Sequence, residues 1–123
     1  MRLGAAKFEE LVAQALDSLP EWVREHLDNV EVLTASWPSP SQLATAGIGR
    51  GALLLGLYEG VPLTKRGRGY NLVPPDRITL FQGPLELQAL DDKSLIQAIR
   101  RTIIHEIAHH FGFSEEHLDK LNC

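Results

Sequence analysis

Apolar side chains at Phe8, Leu11, Val12, Ala15, Leu16 and Leu19 recur at intervals of three and four, with charged residues between them. That spacing predicts an amphipathic helix over residues 5–19, ended by Pro20, and residues 21–27 allow one more short helical turn. Val30, Val32 and Leu33, bounded by Asp28-Asn29 and by the turn formers of residues 36–40, read as a strand. Pro38, Pro40, Gly47, Gly49 and Gly51 mark a loop ahead of residues 52–58. This next run is continuously apolar, which predicts a central strand buried on both faces.

Residues 61–75 contain Pro62, Gly67, Gly69, Pro74 and Pro75 together with Lys65, Arg66 and Arg68, so a long exposed loop is expected. Polar and apolar positions alternate over residues 77–82 and Gly83-Pro84 closes them, the pattern of a half-buried or edge strand. Residues 85–90 read as a second short strand or irregular chain. From Asp91 or Asp92 a helix runs through Leu95, Ile96, Ile99, Ile103, Ile104, Ile107 and Phe111 to Gly112, with acids suited to its first turn. It carries the strongest periodicity in the chain.

Composition narrows the function more than the fold. The 123 residues suit one domain spanning 1–123, and 44% hydrophobic with 23% charged residues is ordinary globular composition. A net charge of −4 gives no general attraction to phosphate backbones, so nucleic acid is not an expected partner. No apolar run is long enough for a bilayer, so no membrane association is expected either. Cys123 is the only cysteine, which excludes an internal disulfide and a Cys-rich zinc site, so any metal must use His and carboxylates. The acids Glu9, Glu10 and Asp17 and the lack of an apolar core in the first 19 residues do not suit a secretory leader, and a cytoplasmic location is expected.

Within the last helix the chain reads His105-Glu106-Ile107-Ala108-His109, the H-E-x-x-H pattern. Residues four apart lie one turn above each other, so the two imidazoles can share one divalent ion without straining the backbone. Glu106 sits about 100° round the helix from His105, where it can approach a metal-activated water without ligating the ion. Zinc would act as a Lewis acid on water and on a scissile carbonyl, while Glu106 takes the water proton as general base and passes it to the leaving amine. Ile99, Ile103, Ile107 and Phe111 occupy the opposite side, leaving the histidine stripe free to face a cleft. Catalytic zinc usually has three protein ligands, and Gly112 can take positive φ and turn the following chain, Glu115-Glu116-His117 included, back toward the histidine face.

Here the chain resembles the zincins, and among them the extended H-E-x-x-H-x-x-G-x-x-H/D pattern of the metzincins. His105, Glu106, His109 and Gly112 match it, and the third-ligand position falls on Glu115, a carboxylate where the larger proteases carry His. Spacing favours Glu115, with Glu116 and His117 as the alternatives. The closer likeness is to the small bacterial family of minimal zincin-like metallopeptidases. It is carried by Leu57-Tyr58-Glu59-Gly60-Val61-Pro62-Leu63 and by residues 105–112, and it covers roughly the second two-thirds of the chain. The resemblance implies an α+β fold, a small mixed β-sheet packed with an N-terminal helix and a C-terminal active-site helix. It also implies a zinc cofactor and a peptide or protein substrate. Met1 is the only methionine and six residues follow His117, so no methionine turn can underlie the site, and an open, shallow cleft or reliance on a partner protein is expected.

The rest reads more plainly. His110 lies one residue off the ligand stripe and reads as a structural histidine, His26 as a surface residue, and Trp22 and Trp37 as core or core-edge aromatics. Residues 65–70 read as a solvated loop rather than a phosphate contact. In zincins the substrate usually extends along an edge strand above the active-site helix, and residues 77–82 are the candidate for that strand. The competing functional reading is a non-catalytic zincin-fold module that binds metal or a partner protein.

Overall fold

A computed structural model describes residues 2–47, 53–60 and 75–113. Helix α1, Ala5–Asp17, buries Phe8, Leu11, Val12 and Ala15, the positions its periodicity selects. Its end is closed by the Ser18 N–H on the Ala15 carbonyl and the Leu19 N–H on the Leu16 carbonyl, before Pro20 forbids continuation. The turn at Glu21–His26 is helix α2, and strand β1 follows at Val30–Ala35. Asn29 enters that strand at φ 59°, a left-handed conformation that Asn tolerates better than most residues.

The segment expected to be loop contains a helix, α3, Pro40–Ala46. Ser39 accepts from the Gln42 N–H while the Gln42 side chain accepts from the Ser39 N–H, Pro40 occupies the first turn, and Gly47 ends the helix at φ 71°. These are strong local helix signals in a stretch whose prolines and glycines mark its two boundaries rather than its interior.

Strand β2 is Gly56–Glu59 and strand β3 is Asp76–Phe81; the sheet order is β1-β3-β2, with β1 parallel and β2 antiparallel to β3. Two sequence expectations therefore exchange places. Among the described residues, the apolar run expected to form the central strand supplies an edge, and the alternating run expected at an edge is central. The reason lies in what covers each strand. Ile78 and Leu80 of β3 face the helix-packed core, while its Phe81 joins Leu54 and Leu57 in a second cluster flanked by Ala35, Leu43 and Ala46. Thr79 is buried despite its hydroxyl, so an alternating pattern hid burial on both faces. Residues 54–57 owe their apolar character to α5 on one side and α3 on the other, not to strands on both flanks.

The segment 85–90, expected as strand or irregular chain, begins inside helix α4, Gln82–Leu87, where Pro84 sits in the first turn and needs no intrahelical donor. Its Glu86 accepts from the Leu3 N–H at 2.8 Å and ties the N-terminal segment down. Helix α5, Asp92–His110, starts at Asp91 with a reciprocal cap to Ser94. The Ser94 backbone N–H, with help from its hydroxyl, holds the exposed Asp91 carboxyl below its usual range. Leu95, Ile99, Ile103 and Ile107 are wholly buried and pack with Phe8, Leu11, Ile78, Leu80 and Leu85 in one cluster. Phe111, expected on the same apolar stripe, is 43% exposed because α5 has ended and the chain is turning there.

The resulting α+β architecture is a small three-stranded mixed sheet with α1 and α5 on one face and α3 on the other, as expected in class and in the placing of the two long helices. Among the described residues, no helix is long and apolar enough to cross a membrane. Ile103→Ala should cost about 2–5 kcal/mol, because it opens a cavity where α5 meets the rest of the core. Denaturant unfolding checks this, and a loss below about 1 kcal/mol would show the site can collapse around the smaller side chain.

Candidate active site

With Ile99, Ile103 and Ile107 turned into the core, the 3.6-residue repeat sets Arg101, Thr102, His105, Glu106 and His109 on the side of α5 that looks toward β2. His105 is half-buried and His109 exposed, and their ring centroids lie 6.1 Å apart with the planes at 65°. The structure thus brings the two predicted imidazoles together on one accessible stripe, with Glu106 beside them on the same helix.

Glu106 is fastened from above. Its Oε1 accepts a hydrogen bond from the Tyr58 backbone N–H at 2.8 Å. The ladder explains why that donor is available: Phe81 N–H bonds the Leu55 carbonyl, so in an antiparallel pair Leu55, Leu57 and Glu59 face β3 while Gly56 and Tyr58 turn their backbone groups outward. Burial raises the Glu106 pKa, and the Tyr58 N–H and then the two neighbouring histidines offset that only in part. A carboxylate with raised proton affinity beside a cleft is what a general base at near-neutral pH requires.

Tyr58 does more than the motif text suggested. Its hydroxyl donates to Asp76 Oδ2 at 2.7 Å, and its ring stacks on His110 with centroids 3.8 Å apart and planes at 18°. His110 is thereby a structural histidine, as expected, clamping the end of α5 to the edge strand. Two residues earlier, Gly56 allows the strand to lie directly on the helix: a Cβ there would come within 2.6 Å of Thr102 Cγ2 and 3.3 Å of the Thr79 carbonyl oxygen. Thr102 cannot easily rotate away, since its hydroxyl donates to the Ala98 carbonyl at 2.8 Å.

Two hollows flank Glu106. One, of about 250 Å³, is walled by Leu54, Leu55, Gly56, Arg101, Thr102 and His105; the other, of about 360 Å³, runs past Leu57, Tyr58, His109 and His110. Leu54, Gly56 and Glu106 line both hollows, so the carboxylate stands where β2 and α5 bound each of them. Because β3 is central, the strand beside the site is β2, which corrects the assignment of the substrate-binding edge to residues 77–82.

Beyond α5, Gly112 takes φ 81° as its position after the motif predicted. The Phe113 N–H reaches the Ala108 carbonyl at 2.7 Å and the Gly112 N–H reaches that of His109 at 3.3 Å, the paired bonds of a left-handed helix end. Phe113 then packs against Trp22 and His26, with centroids 5.0 and 5.7 Å away. His26 is not the plain surface residue expected. It is half-buried among Trp22, Phe111 and Phe113, with Nδ1 at 2.7 Å from the Trp22 carbonyl oxygen. Trp22 does sit at the core edge, whereas Trp37 lies 57% exposed over Gly83. The candidate third ligand Glu115, its alternatives Glu116 and His117, the basic stretch 65–70 and Cys123 lie outside the described residues. Among the described residues, no group of three His, Cys, Asp or Glu side chains is placed to hold a metal, so His105 and His109 form a pair. Two nitrogen donors one helical turn apart fit a zinc ion that takes at least one further ligand.

A family model for zincin-like metallopeptidases matches residues 27–122. The chain belongs to that family. Among solved structures, a conserved hypothetical protein from Thermus thermophilus is similar at 22% identity, covering 89% of this chain and 94% of its own, with a TM-score of 0.54, which supports the fold alone. No curated protein matches the chain. The sequence pattern singles out His105, Glu106 and His109 but not the contacts of Tyr58 and Gly56 or the place of Arg101 in the wall of the smaller hollow. A glycine inside the apolar run 52–58 was the available signal for a close backbone approach, and Arg101 stands four residues ahead of His105 on the same stripe.

Gly56→Val should lower stability by about 1–3 kcal/mol through overpacking against Thr102 and should move the Tyr58 amide resonance as the strand lifts from Glu106. Denaturation and an amide nitrogen–proton spectrum check both; an unmoved Tyr58 amide in an equally stable variant contradicts the contact. Gly112→Ala should cost about 1–2 kcal/mol, the penalty for a side chain in the left-handed region, measured in the same way.

Proposed function

We propose that this member of the zincin-like metallopeptidase family is a zinc-dependent peptide hydrolase. The observation that carries the reading is the Glu106 carboxylate, held by the Tyr58 N–H beside the two imidazoles on the same helix and lining both hollows. His105 and His109 would hold the zinc, and Glu115 would complete the set after the turn at Gly112. When bound, the ion supplies Lewis acidity to water and to a carbonyl oxygen.

The protein's own groups do the rest. A peptide would lie along the outward edge of β2, where Gly56 presents its backbone donor and acceptor away from β3, so that pairing places the scissile bond over Glu106. Glu106, in its ionised form, takes the proton of the attacking water on one carboxylate oxygen while the Tyr58 N–H keeps the other in place. It then delivers that proton to the departing amine nitrogen, which leaves Glu106 ionised for the next turnover. Backbone pairing along a short strand reads main chain rather than side chains, so substrates are extended segments of peptides or unfolded protein.

Glu106→Gln should retain zinc and lose at least about 100-fold in peptide hydrolysis, the scale of a positioned general base, whereas His109→Ala should lose both metal and activity. Zinc content by elemental analysis, alongside a quenched-peptide assay with and without chelator, reads the two effects. A wild-type protein that binds zinc tightly and cleaves none of the peptides fits a non-catalytic binding module instead.

A further inference from the structure

The two hollows beside Glu106 differ in character, and the difference lies in Arg101. One turn before His105, it projects from the same stripe into the rim of the 250 Å³ hollow, whose other walls are Leu54, Leu55, Gly56 and Thr102, with His105 and Glu106 at the reacting end. Its neighbour Arg100 goes the other way, with Nε 3.4 Å from the Ser18 carbonyl oxygen beneath α1. Among the described residues, Arg101 takes part in no ion pair; the pairs present join Lys7 to Glu10 and to Asp92. The nearest acid along the stripe, Glu106, is already engaged by the Tyr58 N–H. A guanidinium thus stands at the mouth of a largely apolar pocket beside the reacting position, with no hydrogen-bond or ion-pair partner among the described residues.

An apolar pocket with one cation at its rim suits a peptide residue that has an apolar stem and a carboxylate at the end. The stem fills the hollow and the carboxylate meets the planar donor fork in a two-point contact that an ammonium-bearing residue cannot make and that a neutral one forgoes. Among the described residues, the hollow past Leu57 and His109 is lined by no Lys or Arg. The geometry points to Arg101 as a specificity-determining residue that reads a carboxylate on the peptide residue next to the scissile bond. The substrate class is therefore peptides with an acidic side chain, or a free C-terminal carboxylate, in the 250 Å³ hollow. This rests on the peptide-hydrolase reading of the same cleft.

Binding without turnover tests it. The Glu106→Gln protein is titrated, with and without added zinc, with three fluorescent peptides of otherwise identical sequence. One carries an internal Glu and an amidated end, one a neutral sequence with a free C-terminus, and one a neutral sequence with an amidated end. At least one carboxylate-bearing peptide should bind roughly three- to fivefold tighter than the neutral amide, the scale of a partly exposed ion pair. The peptide that does so identifies whether side chain or terminus is read. Adding Arg101→Gln should abolish the difference, and Arg101→Glu should invert it; both changes fall on an exposed side chain and leave the fold intact. In the catalytically intact background the same substitutions should raise KM for the preferred peptide and leave kcat nearly unchanged. Equal binding of all three peptides, or a preference that survives Arg101→Gln, overturns the proposal. A preference that depends on Arg101 in a protein that hydrolyses nothing keeps it and overturns the peptidase reading instead.

Discussion

The hydrogen bond from the Tyr58 N–H to the Glu106 carboxylate is the joint on which the site depends. It is a charge-assisted bond between an edge strand and the helix beneath it, made in partly buried surroundings where such bonds are stronger than in water. It fixes one oxygen of Glu106 and leaves the other to the cleft. It also spends an outward donor of β2 that would otherwise invite another strand, so the edge nearest the site is partly protected by Glu106 itself.

Everything around this joint holds the strand at the right height. Gly56 lets the backbone rest against Thr102, and Thr102 is itself locked to Ala98. The Tyr58 hydroxyl is tied to Asp76 at the start of β3, while its ring is stacked on His110 at the end of α5. Behind the helix, Ile99, Ile103 and Ile107 anchor it in the core, so that the stripe from Arg101 to His109 is presented by a rigid element rather than a loop. Beyond α5 the left-handed turn at Gly112 is braced by Phe113 against Trp22 and His26, which directs the chain onward from a defined point. A chain this small can place a reactive carboxylate accurately because it uses the same few contacts for stability and for positioning.

Much of this could be read from residue order alone, and what could not has identifiable causes. Helices α1 and α5 announce themselves through long apolar periodicity, and H-E-x-x-H followed by Gly112 locates two imidazoles, the carboxylate and the turn beyond them. Strand rank was misread because apolar content reports burial and not its source: residues 54–57 are covered by helices, and β3 hides a buried Thr79 inside an alternating pattern. Helix α3 was lost among prolines and glycines, although Ser39, Pro40 and Gln42 spell its start and Gly47 its end. Tyr58 contributes through a backbone N–H, which no side-chain motif can encode. It became visible only once the ladder showed which way that donor points.

In the proposed site, His105 and His109 share one zinc ion beside a Glu106 that does not ligate it. Diffraction from crystals grown with zinc, recorded on both sides of the zinc absorption edge, tests this most directly. The account predicts one anomalous peak within bonding distance of a ring nitrogen of each histidine, with the Glu106 carboxylate still on the Tyr58 N–H and a further protein ligand from beyond Gly112. A peak elsewhere, or none between those two rings, would contradict it.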